Sequence, residues 1–482
     1  MPFIKKFLLL IIAIIIANLS ITNAAVTLPQ IIGNNMVLQR DQPVPIWGNA
    51  DPGEKIIVVF NHQEKRIKAD ADGKWKVWLD PLKASFTPQD LTIKGDNTII
   101  LKNVLVGEVW FTSGQSNMAY TMRMNSKVTK TYATGYSPVD ELDYAKNKNI
   151  RIFLGDRKRL MKVHPNHEGW AYAEDSALRS FSAASYFFAK ELYAKLHVPI
   201  GVISSAIPGS AIEPWLGATI SSTDSTGRIL KVDTSKPGKF YPTLIKTIAP
   251  FAIKGILWYQ GETNCFQNES IGYTYKMQLL INEWRSLWNK ASLPFYYVQI
   301  APFYYSKSAG KYPLDKYTLP KFWEAQTLAL KIPYTGMAVI NDLPDNLDNI
   351  HPPGKWEVGR RLALIALAKN YHQDIEYSGP MFSKMTIEGN KIIIAFTHTD
   401  KGLKSSNGRP LDNFEIAGAD GIFKPADVSI DGNKIIVWNP FIKNPVNVRF
   451  AWKEDAQPNF YNGDNLPAVP FRTDNPYQNL SL

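Results

Sequence analysis

Between about residues 105 and 372 the chain repeats one pattern, a short apolar run followed by a longer stretch with helical spacing. The runs are Val104 to Phe111, Ile200 to Ala206, Ala252 to Tyr259, Phe295 to Ile300 and Met337 to Asp342. Helical patterns separate them, notably Phe181 to Leu196, Tyr273 to Trp288 and Lys355 to Ala368. A run that is apolar on both faces belongs in a sheet covered on both sides, and strands joined by helix-length crossovers pair in parallel. The alternation predicts an α/β fold, a parallel sheet with helices on both faces in a flavodoxin-like, three-layer arrangement. Sheets of this kind hold their sites at the carboxyl ends of the strands, so the residues just after each run matter most.

The first run leads into the stretch Gly107 to Met118, G-E-V-W-F-T-S-G-Q-S-N-M. Gly114 permits a tight turn into a helix, which places Ser116 at an exposed elbow. There its own N–H can face a developing oxyanion, and the helix dipole favours negative charge. A serine hydroxyl needs a base to take its proton and a third group to orient that base. Of the seven histidines, His62, His164, His167, His197, His372 and His398 lie in polar loops, beside strands or near helix ends. His351 differs. It stands in Asp348-Asn349-Ile350-His351-Pro352-Pro353, between a strand-like run and the amphipathic stretch Lys355 to Asn370, whose Val358, Leu362, Ile365 and Leu367 dock it. Asp348, three residues earlier, can turn back to accept the imidazole Nδ1–H, leaving the other nitrogen for Ser116. Singly, a serine in a glycine-flanked turn is usually a turn residue, and D-x-x-H is usually a helix cap or surface loop. The pair is more specific, because both follow buried strands and neither lies on an apolar face.

With these residues identified, the chain resembles the SGNH hydrolases and, within them, the sialate O-acetylesterase family. Four blocks carry the resemblance: Gly114-Gln115-Ser116-Asn117-Met118, Ile207 to Trp215 (I-P-G-S-A-I-E-P-W), Trp258 to Asn264 (W-Y-Q-G-E-T-N) and Asp348-x-x-His351-Pro352. They occur in the family's order and cover most of the chain after its leader. The resemblance implies Ser116 as nucleophile, His351 as base and then acid, and Asp348 as orienting carboxylate. It implies an oxyanion hole from the N–H groups of Ser116 and Gly209 with the Asn264 amide, for which Gln260 is a competing assignment. Glu262 and Thr263, between Gly261 and Asn264, depart from the plain pattern; Glu262 reads as a buried orienting or substrate-binding group. Gln115, Gln260, Glu262, Trp215 and Arg123 are the substrate-binding candidates. Trp215 is a sugar platform by its closeness to Gly209, and Arg123 is a partner for a substrate carboxylate or an ordinary surface arginine.

Residues 1–24 read as a cleaved secretory signal peptide: Lys5 and Lys6, the apolar run Phe7 to Ala17, then small and polar residues up to Ala24. The run is shorter than the roughly 20 residues of a membrane span, so a secreted or periplasmic protein without a membrane anchor is expected. Cys265 is the one cysteine, which excludes an internal disulfide and reads as a small packed thiol. The formal net charge of +11 is spread among acids without a Lys/Arg block, so no nucleic-acid partner is expected. No Cys/His cluster has ligand spacing, and neither a metal nor another cofactor is expected.

Residues 25–104 show alternating runs with Asp-Gly and Gly-Asp turns and read as a small N-terminal β domain. Residues 105–377 form the hydrolase domain, with a loop-rich insertion at about 120–170, and residues 378–482 return to a β-rich pattern. Tyr132, Tyr136 and Tyr144, and the aromatic stretch Pro302 to Tyr317 with Tyr304, Tyr305 and Tyr312, are candidates for a cleft rim. The expected chemistry is hydrolysis of an acetyl ester on a carbohydrate, with 9-O-acetylated sialic acid favoured by the resemblance. Acetylated xylan or another plant polysaccharide is the alternative. A carbohydrate-binding protein that has lost catalysis is the reading of another class, against which Ser116, Asp348 and His351 speak.

Overall fold

A computed structural model of the chain describes residues 25–128, 141–155, 169–477, 479–480 and 482. The expected leader, Tyr132, Tyr136, His164 and His167 lie outside the described residues.

The central sheet is built from β1 (Thr98–Gly114), β2 (Ile150–Leu154), β3 (Trp170–Tyr172), β4 (Ile200–Ala206), β5 (Gly255–Tyr259), β6 (Phe295–Val298) and β7 (Thr335–Ala338). Their order is β7-β6-β5-β1-β4-β2-β3. Every pairing along it is parallel except β3, which runs antiparallel to β2. Each residue of β4 and of β5 is buried, as a strand covered on both faces requires. Successive side chains point to opposite faces. Phe111, Ile203, Ile256 and Trp258 enter one core, and Trp110, Val202, Leu257 and Tyr259 enter the other. Helices α2 (Ala183–Leu196) and α6 (Lys355–Tyr371) complete the second core; α4 (Gly272–Leu287) and α5 (Thr318–Leu328) complete the first. Helices α1 (Ser116–Ala119) and α3 (Glu262–Phe266) are short turns at the sheet's edge. This is the expected three-layer α/β arrangement.

Three features depart from the sequence reading. Strand β1 is 17 residues long and crosses the boundary expected between residues 104 and 105. Its first half pairs with Ser85–Lys94 and with Val37–Gln39, so the N-terminal β region and the central strands belong to one sheet. Lys102 and Asn103, polar and partly solvated, break the apolar run and hide that continuity.

The segment read as a loop-rich insertion contributes β2, whose Ile150 to Leu154 pair with Ile200 to Ser204. Arg151 disguises it as surface, yet its side chain is buried, donating to the carbonyls of Lys148 and Asn35 and lying over the Tyr172 ring at 4.3 Å.

Helix α5 directly follows the aromatic stretch considered as a rim. Its Pro320 stands in the first turn, where a missing N–H costs no helical bond. Tyr305 of that stretch is fully buried, whereas Tyr312 is exposed.

The C-terminal β region has its own core, with Ile394, Phe414, Val437, Phe450 and Phe460. It docks on the hydrolase layers: Arg472 grips the Glu324 carboxylate of α5 through two bonds of 2.8 and 2.7 Å. Among the described residues no helix is long and apolar enough to cross a membrane.

Leu257, in the middle of β5 and 0% exposed, tests how tightly the layer beneath the site is packed. Leu257→Ala is expected to lower stability by about 2–5 kcal/mol, seen as a reduced urea midpoint in equilibrium denaturation.

Candidate active site

The carboxyl ends of β1, β4 and β5 converge on one point. Gly114 has φ +138°, and a Cβ placed on it would lie 2.1 Å from the Tyr259 carbonyl oxygen. Only glycine lets the two strands close to that distance. The Gln115 N–H then donates to Tyr259 O at 3.0 Å, and the Ile207 N–H donates to Gly114 O at 3.0 Å. The chain turns sharply between these anchors and starts α1 at Ser116. Helix α1 has four residues, so the expected macrodipole contributes little; what remains is the set of first-turn N–H groups without intrahelical partners.

Ser116 Oγ lies 2.8 Å from His351 Nε2. Both side chains are half-buried, so a substrate can reach them while bulk water is partly excluded. Burial pushes the His351 pKa below its ordinary 6.5, and the nearby Lys355 charge pushes it the same way. The imidazole is therefore neutral at neutral pH, the form able to accept a proton.

Asp348 is not where the D-x-x-H spacing led us to expect it. Its carboxylate is largely exposed and accepts from Lys307 Nζ at 3.0 Å. Among the described residues no hydrogen bond joins it to His351. The local reason is two successive Asx turns: Asp348 N–H donates to Asn346 Oδ1 at 2.9 Å, and His351 N–H donates to Asn349 Oδ1 at 3.0 Å. They set the path of the loop and leave the Asp348 side chain facing solvent and Lys307.

Gly209 sits in the loop after β4 with φ +70°, exposed, and with open space where a side chain would be. The third sequence block supports this loop. Asn264 Oδ1 accepts the Ile212 N–H at 3.0 Å, and Gln260 Nε2 lies 3.2 Å from Ser210 O. Gln260 also reaches Gln115 Oε1 at 3.1 Å and accepts from the Tyr273 hydroxyl at 2.8 Å.

Asn264 departs from the expected third oxyanion donor. Its Nδ2 already donates to Glu269 at 2.8 Å and to Glu213 at 3.3 Å, two carboxylates that share Lys276. Asn264 and Gln260 are fully buried and act as framework. Gln115 is buried too, and its Oε1 accepts the Thr263 N–H at 3.3 Å.

Trp215 does not form a sugar platform. It is 0% exposed, packed edge-on against Trp258 at 5.8 Å, with its indole N–H donating to Ser210 Oγ at 3.0 Å. A ring enclosed on every side cannot stack on a ligand. Arg123 is exposed on the short helix Met122–Asn125. Glu262 is buried, its pKa raised by desolvation, and it accepts from Asn117 Nδ2, in keeping with an orienting group.

Two residues of the site were not singled out in the sequence. Asn117 donates to Glu262 and to Ile350 O and accepts from Lys355, which is wholly buried. Asn117 lies in the block around Ser116, so its position is visible in the sequence although its role is not. Lys355 reads in sequence as a solvated first-turn residue, and nothing local marks it as buried.

Comparison with known proteins identifies the family to which this fold belongs. The family model for carbohydrate esterases described as sialic acid-specific acetylesterases matches residues 106–368, more than half of the chain. Human sialate O-acetylesterase is 28% identical over 76% of this chain and 75% of its own length, and the mouse enzyme is 25% identical over 91% and 93%. The crystal structure of a carbohydrate acetylesterase from Xanthomonas citri superposes with a TM-score of 0.80 at 34% identity, over 93% of this chain and all of that one. The chain that places Ser116 against His351 at the carboxyl edge of a parallel sheet thus belongs to the sialic acid-specific acetylesterase family of carbohydrate esterases.

Proposed function

We propose that this carbohydrate esterase removes O-acetyl groups, with 9-O-acetylated sialic acids as the favoured substrates, through a Ser116–His351 pair. The observation that carries the reading is the 2.8 Å contact between Ser116 Oγ and His351 Nε2 at the open edge of the sheet. Ser116 Oγ attacks the acetyl carbonyl carbon while His351 Nε2 accepts the hydroxyl proton. The tetrahedral oxyanion faces the N–H groups of Ser116 and Gly209. Each such donor typically contributes about 100- to 1,000-fold in rate. On collapse, His351 returns the proton to the departing sugar oxygen. The same histidine then deprotonates a water, whose attack on the acetyl-serine releases acetate and restores Ser116. Asn264 and Gln260 hold the Gly209 loop in place for this sequence of steps. The leader-like residues 1–24 support export to a secreted or periplasmic location.

A second reading is an esterase for acetylated xylan or another plant polysaccharide, since the Xanthomonas relative, similar over nearly the whole chain, is described as a carbohydrate acetylesterase without reference to sialic acid. Acetate release from 9-O-acetylated sialic acid and from acetylated xylan, measured in parallel, distinguishes the two. Ser116→Ala and His351→Ala are each expected to lower kcat by roughly a million-fold, with the double variant no worse than either single one. Retention of turnover in Ser116→Ala would remove the nucleophile assignment. Because burial and Lys355 hold the His351 pKa below 6.5, the acidic limb of kcat/KM should have its midpoint below pH 6.5, activity falling as the imidazole becomes protonated. Asp348→Asn, whose carboxylate pairs with Lys307 and not with His351, is expected to change kcat less than about ten-fold, whereas an orienting carboxylate would cost about 10,000-fold.

A further inference from the structure

Lys355, the first residue of α6, is 0% exposed, a costly position for an ammonium group. Its Nζ donates to the Pro352 carbonyl at 2.5 Å and to Asn117 Oδ1 at 2.8 Å. The ring faces of Tyr120 and Tyr259 lie 4.8 and 5.5 Å from it. Asn117 is the residue after Ser116, and Pro352 is the residue after His351. One buried ammonium group therefore joins the elbow that carries the hydroxyl to the loop that carries the imidazole. The Asn117 amide reinforces the same junction from its other end, with Nδ2 donating to Ile350 O at 3.1 Å and to Glu262 Oε1.

The amide cannot be reversed. Turned over, its NH2 would face the Lys355 ammonium and its oxygen would face the Glu262 carboxylate. The two buried charges on either side thus lock Asn117, and Asn117 locks both loops. Glu262 Oε2 has no hydrogen-bond partner among the described residues; the carboxylate is favoured by Asn117, by the backbone N–H groups of Glu262 and Gly261, and by the Lys355 charge. The groups facing Lys355 are Glu262 from α3, His351 from its own loop, Asn117 from α1, Tyr120 just after α1 and Tyr259 from β5.

We propose that Lys355 is a positioning residue for the Ser116–His351 pair: it holds the histidine loop on the nucleophile elbow, and its charge keeps the histidine in its basic form. The proposal rests on the esterase reading above and deepens it. Burial pushes the Lys355 pKa down to about 7, with Glu262 opposing. In its ammonium form Lys355 repels a proton on His351, which with burial lowers the histidine's pKa and favours the neutral imidazole. The effect needs no contact between Lys355 and substrate.

The test is the pH dependence of acetate release by the full chain carrying Lys355→Met, which keeps an unbranched side chain to within one atom of the lysine's length and removes its charge. Three results together are expected: kcat about 100-fold lower through misplacement of the pair, KM nearly unchanged, and the acidic limb of kcat/KM moved up toward 6.5. Leaving Glu262 buried without its cation can prevent folding. The double variant Glu262→Gln/Lys355→Met keeps that region neutral and is read for the same limb. A folded variant whose kcat and limb match the wild type overturns the proposal. So does a loss of kcat with an unmoved limb, which would leave Lys355 a packing role only. Absence of acetate release from the wild type on any acetylated sugar would instead remove the esterase reading, and this inference with it.

Discussion

The approach of β1 to β5 at their carboxyl ends is the constraint on which the rest of the site depends. Gly114 packs so closely on the Tyr259 carbonyl that a single methyl group would collide with it. That contact makes the chain leave the sheet abruptly at Gln115, and the turn lifts the Ser116 hydroxyl out of the layer toward the loop after β7. It needs two covered faces to hold it. Trp110, Leu257 and Tyr259 are buried on one side, and Phe111, Ile256 and Trp258 on the other. Packing at that density lets the strand ends be positioned to within fractions of an ångström.

Above this rigid edge the loops are held together by polar groups taken out of water. Gln260 and Asn264 tie the Gly209 loop to the third block, while Asn117 and Lys355 tie the histidine loop to the elbow. Buried amides and charges are costly when unpaired, so a network of this kind favours one arrangement strongly over its neighbours. The consequence is preorganisation. The serine and the histidine are held at hydrogen-bond distance, and Gly209 in the loop after β4 has open space where a side chain would be.

The flanking β regions belong to the same construction. The N-terminal strands share β1 with the central sheet, so they extend the platform that carries Ser116. The C-terminal region keeps its own core but clamps α5 through Arg472 and Glu324. It also reaches the stretch after β6, where Glu454 accepts from the Ser306 N–H at 2.9 Å. The C-terminal region thus bears on the stretch after β6, whose Lys307 pairs with Asp348.

Local pattern determined a good deal here. Runs apolar on both faces and the helical spacing between them were enough for the α/β layers, because burial on two sides leaves no polar alternation. A glycine before Ser116 and a histidine after a later strand were enough to pair two residues 235 positions apart. Other features depended on contacts between distant segments. Arg151 reads as a surface residue until its backbone acceptors are known, and Lys355 reads as a solvated helix start until Asn117 and the Pro352 carbonyl enclose it. Trp215 reads as a binding platform until Trp258 and Phe240 cover it. Asp348 stands at the right spacing, but two Asx turns and Lys307 decide where its carboxylate goes. Periodicity records which faces are buried, since that is repeated along an element. The partner of a single polar side chain is set by what folding brings beside it, and that is decided only in the tertiary structure.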